Sequence, residues 1–223
     1  MSLFRENVPL DGRNTMQLKV SASFWAEFSD PLHLATLIEE CRRRCLPWYV
    51  LGGGSNVVLT GNFPGTYLHP ASGRIEHESD TLLVADAGVV WDDFVAYCVE
   101  RGLWGVENLS LIPGQVGAAP IQNIGAYGCE AGNAIEWVEY FDTVSLRVKR
   151  MPAAECGFGY RSSVFKSRFR DAAIVTRVAF RLSREAVPNM GYGDLRERVE
   201  VLGGPSLANV RQAVTDKIGR VHV

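Results

Sequence analysis

Apolar positions recur along the chain with two different periods, and the switches between them mark the elements. MQLKVSASFWAEF, residues 16–28, alternates apolar and polar residues, the two-residue period of a half-buried strand. The period then changes. In DPLHLATLIEECRRRC, Leu34, Leu37, Ile38 and Cys41 fall on one helical face, Asp30 is placed to cap the helix, and Pro31 suits its first turn. PWYVLG reads as a short, nearly continuous apolar strand that runs into three glycines in LGGGSNVVL, residues 51–59. GTYLHP and TLLVADAG read as strands. In WDDFVAYCVERG the spacing of Trp91, Phe94, Val95 and Cys98 predicts a second helix, ended by Gly102.

Residues 103–133 break both periods. The stretch is rich in turn residues yet carries Leu109, Leu111, Ile112, Val116, Ile121 and Ile124, more apolar side chains than a solvated linker would hold. A loop of this length inside a compact domain is usually functional, and this one reads as ordered backbone packed around something. Beyond it, AIEWVEYFDTVSLRVKRMP predicts a hairpin, PAAECGFGYRSSVFK a short turn and loop, AAIVTRVAFRLS a strand, and SLANVRQAVTDKI a last helix started at Ser206. There is no internal repeat. Short strands in mixed order favour an α+β fold over a regular doubly wound sheet.

Composition narrows the function classes. Hydrophobic residues make up 47% of the 223 positions and charged residues 22%, a globular balance that excludes a disordered chain. The net charge of −2 argues against non-specific binding to nucleic acid. The five cysteines, Cys41, Cys45, Cys98, Cys129 and Cys156, form no CxxC pair and read as buried thiols, with Cys41 and Cys45 sharing a helix face. His33, His69, His77 and His222 show no metal-ligand spacing, so no metal is expected. Arg5, Glu6, Asp11 and Arg13 interrupt any signal-like run, and no stretch approaches the ~20 apolar residues of a membrane span. The expected setting is a reducing cytoplasm, without membrane or nucleic-acid partners.

Two stretches carry candidate chemistry. Bare glycines expose successive backbone N–H groups that can nest around phosphate oxygens. Gly52, Gly53 and Gly54 offer such a turn, and Ser55 and Asn56 add side-chain donors. The following VVLT is neither a Walker lysine nor the helix that GxGxxG opens. In SLIPGQVGAAPIQNIGAYG, Pro113 and Gly114 make a turn, and Gly117, Ala118 and Ala119 allow a flat ligand to lie against the backbone. Gln122 and Asn123 offer amides, and Gly125, Ala126 and Tyr127 lie in a second close-approach turn.

LGGGSNVVL, ENLSLIPGQVGAAPIQNIGAYG and ECGFGYRSSVFK, in this order and spacing, resemble the UDP-N-acetylenolpyruvoylglucosamine reductases (UDP-N-acetylmuramate dehydrogenases, MurB). NTM at residues 14–16 and GYGDL at residues 191–195 extend the likeness, which runs from about residue 10 to about residue 216. The resemblance implies an FAD-binding fold of the vanillyl-alcohol-oxidase type. It places one α+β subdomain at residues 1–65, a second at 66–216, and a divergent tail at 217–223. It assigns residues 52–56 to the flavin diphosphate and Pro113, Gly114, Gly117, Ala118, Gly125, Ala126, Tyr127 and Ile174 to the rest of the cofactor. It makes Arg161 the catalytic arginine and Tyr160 and Tyr192 the substrate-contacting tyrosines.

The implied reaction uses NADPH as co-substrate and FAD to reduce UDP-N-acetylglucosamine enolpyruvate for peptidoglycan synthesis. The family's chain continues into a substrate domain that carries a proton-donating serine and a late glutamate. Here KIGRVHV stands where its next segment would begin, and Lys217 falls about four residues short of the family's substrate-binding lysine. A chain without that third domain, with impaired turnover, is the expectation. Two alternatives stand beside it: a non-catalytic FAD- or nucleotide-binding module, and a flavin oxidoreductase of the same fold with another substrate.

Overall fold

Local rules set the first helix, α1 (Pro31–Arg43), as the sequence predicts. Asp30 stays extended and its Oδ1 accepts the His33 amide at 2.9 Å, while Pro31 sits in the first turn, where it has no N–H to waste. Leu34, Leu37, Ile38 and Cys41 form the buried face. The second helix, α2 (Trp91–Glu100), buries Trp91, Phe94, Val95 and Cys98, and Gly102 follows it at φ +70°. The structure, a computed structural model, describes residues 3–219. The last four positions of the expected tail, His222 among them, lie outside the described residues; Lys217 belongs to the final helix.

Two sheets divide the chain. The first has the order β1-β2-β4-β3, from β1 (Arg5–Pro9), β2 (Ser21–Phe28), β3 (Trp48–Val50) and β4 (Phe63–Pro70). β1 runs antiparallel to β2, whereas β2 and β3 both run parallel to β4. The carboxyl ends of three parallel strands therefore share one edge, the edge at which open parallel sheets bind ligands. The boundary expected between residues 65 and 66 falls inside β4, and we place it in the connection at 71–74.

The second sheet is antiparallel throughout, in the order β10-β9-β11-β6-β5. Its strands are β5 (Ile75–His77), β6 (Leu82–Asp86), β9 (Ile135–Asp142), β10 (Arg147–Pro152) and β11 (Ala173–Arg181). The predicted hairpin is β9–β10. Two short strands, β7 (Gly125–Ala126) and β8 (Cys129–Glu130), pair within the long loop. Two further helices, α3 (Leu195–Val201) and α4 (Leu207–Gly219), close the chain, α4 being started by the Ser206 hydroxyl on the Asn209 amide. Among the described residues no helix is long and apolar enough to cross a membrane.

The two halves share a core. Phe141 of β9 and Ile174 of β11 are buried beside Leu34, Leu37, Ile38 and Cys41 of α1 and Leu68 of β4. A larger cluster lies under α2 and reaches into the long loop through Leu109, Val116 and Ile124, which confirms that loop as packed structure. Three local expectations change. Residues 16–20 do not join the strand, which starts at Ser21. β3 is an edge strand with Tyr49 and Val50 exposed, so its apolar run marks a rim rather than a buried centre. Cys45 is exposed at φ +53°, because α1 ends at Arg43 and the thiol never shares a face with buried Cys41.

Candidate cofactor site

The glycine loop hangs from the carboxyl end of β3 and is gripped from two sides. On one side lies the turn at 13–15. Gly54 has φ +68°, and a Cβ there would stand 2.1 Å from the Arg13 carbonyl oxygen and 2.8 Å from the Asn14 Cα. Its carbonyl accepts the Thr15 amide at 3.3 Å. Asn14, buried, holds that turn in shape: Nδ2 donates to the carbonyls of Leu10 (2.6 Å) and Leu18 (3.2 Å), and Oδ1 accepts the Leu18 amide (2.9 Å). The bareness of Gly54 thus answers to the chain's own backbone at Arg13 and Asn14.

On the other side lies the turn at 113–115. A Cβ on Gly53 would meet the Gly114 Cα at 3.2 Å, and one on Gly52 would meet the Gln115 Oε1 at 2.9 Å. Gln115 Nε2 donates to the Gly88 carbonyl at 3.0 Å, while its Oε1 is buried with no partner. Among the described residues, the amides of Gly52, Gly53, Gly54, Ser55 and Asn56 donate to nothing. Gly53 and Asn56 are exposed, and the Asn56 side chain donates to Gln122 at 3.2 Å. Unpaired amides in a turn make an anion nest. An orphaned acceptor beside them adds a place for a donor such as a sugar hydroxyl. Both fit the phosphate–ribose portion of a dinucleotide. A cavity of about 70 Å³ continues the seam past Gly88, between Phe28 and Pro70 of the first sheet and Asp86 and Thr176 of the second.

The remaining expected cofactor residues divide. Gly114, at φ +125°, gives its carbonyl to the Trp91 amide. Gly117 has its amide committed to the Ala87 carbonyl at 2.9 Å, and a Cβ would lie 2.6 Å from that of Ala87, so its smallness serves packing between loop and β6. Pro113 and Ala118 are exposed beside them. The Ile174 side chain is buried in the shared core, leaving only its backbone for a ligand. β6 pairs with β11 only from Arg177 onward, so Ile174 is paired with β9 alone.

A second group gathers around β7. Arg161 sits at φ +53° in a tight Gly159–Ser162 turn and its Nη2 donates to the Gly125 carbonyl at 3.0 Å. Asn123, 1% exposed, ties this turn to the loop. Its Nδ2 donates to the Gly159 carbonyl (3.1 Å) and Glu130 (2.6 Å), and its Oδ1 accepts the Gly132 amide (2.7 Å). Tyr127, next to Gly125 and Ala126, meets Tyr192 edge-on at 5.8 Å. Asn108 clasps the two tyrosine segments, donating to the carbonyls of Tyr127 (3.0 Å) and Asn189 (2.7 Å). Lys217 stands 5.7 Å from the Tyr127 ring and pairs with Asp194; Lys217 and then Arg198 hold that carboxyl at about 2. Tyr160 is 86% exposed and touches none of the tyrosines.

The structure therefore brings Arg161, Gly125, Ala126, Tyr127 and Tyr192 together, sets residues 52–56 against Gly114, and leaves Tyr160 outlying. Asn108 and Asn189 went unnoticed in the sequence, since an isolated asparagine carries no periodic signal. Among the described residues no cluster of three His, Cys, Asp or Glu is placed to hold a metal ion.

Comparisons with known proteins bear on the family. The FAD binding domain family matches residues 23–146. The chain is 41% identical over 216 residues to the UDP-N-acetylenolpyruvoylglucosamine reductase of Bdellovibrio bacteriovorus, covering 92% of this chain and 64% of that protein. It is 42% identical over 207 residues to the enzyme of the same name from Bacteroides fragilis, covering 90% of this chain and 61% of that protein. The chain thus spans less than two thirds of the length of these relatives. The crystal structure of UDP-N-acetylenolpyruvylglucosamine reductase (MurB) from Thermus caldophilus superimposes with a TM-score of 0.70 at 27% identity, over 96% of this chain and 69% of that one.

Proposed function

The chain belongs to the FAD binding domain family as a MurB-type member, and on that premise we propose that it holds FAD along the seam between its two sheets. The proposed reaction is the reduction of UDP-N-acetylglucosamine enolpyruvate to UDP-N-acetylmuramate at the expense of NADPH, in a cytoplasmic setting. The observation that carries the reading is the row of five unpaired amides at 52–56, set at the carboxyl ends of parallel strands, with Gly52 and Gly53 packed against the turn at 113–115. They would receive the diphosphate. Pro113, Gly114 and Gln115 would border the adjoining sugar, and the free backbone edge of Ile174 would meet a ring.

Bound flavin would relay a hydride from NADPH to the enolpyruvyl double bond. The chain's own residues do the rest. Adding the hydride to one carbon builds negative charge on the other, beside the substrate carboxylate, and a fixed cation lowers that barrier. Arg161 fits the task, because its Nη2 bond to Gly125 fixes the plane and leaves further donors for the carboxylate. Tyr127 and Tyr192 form an aromatic wall for the nucleotide-sugar. Gly117 and Ala118 line the loop without contributing their committed amides. A proton must follow the hydride, and none of the residues gathered around Arg161 is assigned as its donor; these 223 residues are proposed to bind flavin and accept reduction, with slow completion of the second half.

Three measurements test the reading. The purified chain should carry or take up FAD with the visible flavin band, NADPH should bleach that band, and added enolpyruvyl substrate should restore it slowly or not at all. A chain that refuses FAD ends the reading. Rapid reoxidation by substrate would place a proton donor among these residues.

A further inference from the structure

Pro113 and Gly114 are carried by α2, and α2 is clamped in turn by α4. Leu111, immediately before them, lies at φ +57°, a region that leucine rarely adopts. Its amide needs an acceptor beside the N-terminus of α2, the positive end of the helix dipole, where donors crowd. Asp92, in that first turn, resolves the conflict: its Oδ1 accepts the Leu111 amide at 2.7 Å. The neighbouring Trp91 takes the other end, its amide donating to the Gly114 carbonyl at 3.0 Å and its Nε1 to the Leu109 carbonyl at 2.8 Å. Arg211 of α4 then grips Asp92 by two bonds, Nη1 to Oδ1 at 2.7 Å and Nη2 to Oδ2 at 2.8 Å. A two-bond guanidinium–carboxylate pair fixes orientation as well as distance.

We propose that Asp92 is a positioning residue for cofactor binding, held in register by Arg211. It acts through the turn at 111–114: the Gly114 Cα lies 3.2 Å from where a Cβ on Gly53 would stand, so that turn packs against the glycine loop and its placement bears on where the Gly53 backbone sits. Asp92 touches no ligand itself. This inference rests on the FAD reading above, and it adds that the last helix of the chain sets the geometry of the phosphate nest made by its first sheet.

The test uses the purified 223-residue chain stripped of flavin, with FAD affinity read from quenching of flavin fluorescence and thermal stability read without FAD. Asp92→Ala should raise the Kd for FAD at least about tenfold, equivalent to about 1.4 kcal/mol. Asp92→Asn, which keeps an acceptor for Leu111, should lose less. Arg211→Met should weaken FAD several-fold, and Arg211→Lys should recover part of it. Val138→Ala, a buried change in β9 that leaves every hydrogen bond of the turn in place, should lower the melting temperature with the Kd unchanged. Wild-type affinity in Asp92→Ala overturns the proposal, as does a Kd for Val138→Ala that rises in step with its lost stability. Should Asp92→Ala fail to fold, equal affinities in the wild type, Arg211→Met and Arg211→Lys overturn it. A wild-type chain that takes up no FAD sinks the cofactor reading and this proposal together, whereas normal binding in the variants sinks this proposal alone.

Discussion

Substitution of Gly54 by alanine tests how the glycine loop is held. Two costs follow from the structure. The residue lies at φ +68°, where an L side chain crowds its own backbone at about 1–2 kcal/mol. The added Cβ would also begin 2.1 Å from the Arg13 carbonyl oxygen, so one backbone segment has to retreat by about 1 Å. That retreat breaks the Thr15–Gly54 hydrogen bond, worth about 1 kcal/mol. The sum is about 2–3 kcal/mol, or a fall in melting temperature of about 4–12 °C for a chain of this size. On the proposed reading, displaced amides would also cease to converge on the diphosphate. Losing two charge-assisted hydrogen bonds at about 1.5 kcal/mol each lowers FAD affinity about 100-fold. Thermal melts and fluorescence titration with FAD read both effects. Gly61, where a Cβ meets nothing within 4 Å, supplies the control: Gly61→Ala should match the wild type in both assays. A Gly54→Ala protein that melts and binds like the wild type would refute the reasoning.

Removing the Asn14 amide should have a related effect from the other side. Asn14→Ala strands the Leu18 amide and takes one of two donors from each of the Leu10 and Leu18 carbonyls, which keep the Arg13 and Val20 amides; it costs about 1–3 kcal/mol and should weaken FAD binding in fluorescence titration. Thiol titration of the native chain should find Cys45 fastest, since it alone is exposed, with Cys98 and Cys156 silent until denaturant is added; burial pushes both thiols up, Cys156 to about 12. Acid should reveal the Asp92 clamp. Burial pushes its carboxyl up, but the Arg211 hydrogen bonds, the Leu111 amide and the Arg211 charge outweigh this and hold it below the usual range. A depressed folded value gives stability that is complete above the unfolded value near ~4 and is lost as pH falls through the folded one. The melting temperature of the wild type should therefore drop more steeply below about pH 4 than that of Asp92→Asn, and parallel curves would contradict the clamp.

Helices with both a period and a cap were legible from sequence. α1 and α2 declare themselves through four apolar residues each on one face, and Asp30 with Pro31 fixes the start of α1. β1 was not, because RENVP buries only Val8 and looks like a polar loop until β2 pairs with it. α3 buries only Leu195 and Val199, too few to stand out from turn-rich surroundings. The motif stretches could be named as chemistry, yet their geometry could not be read. Leu111, Asn123, Tyr127 and Arg161 all adopt positive φ, which nothing in a non-glycine residue advertises. Gly54 and Gly117, conversely, are bare for the sake of neighbouring backbone and Ala87, a need that exists only once the chain has folded.

Phe141 and Ile174 come from the second sheet, yet they are buried among side chains of α1, and Arg42 of α1 donates to the Thr143 carbonyl beyond β9. The molecule is therefore not a book with a spine. Swinging one half from the other would strip apolar surface from both at once, a cost paid on every exchange of ligand. Entry and exit are then expected as local events, the lifting of short backbone segments rather than separation of the halves. Exchange of a bound dinucleotide should accordingly be timed by the rims at 52–56 and 111–117, and the two halves should travel as one body throughout.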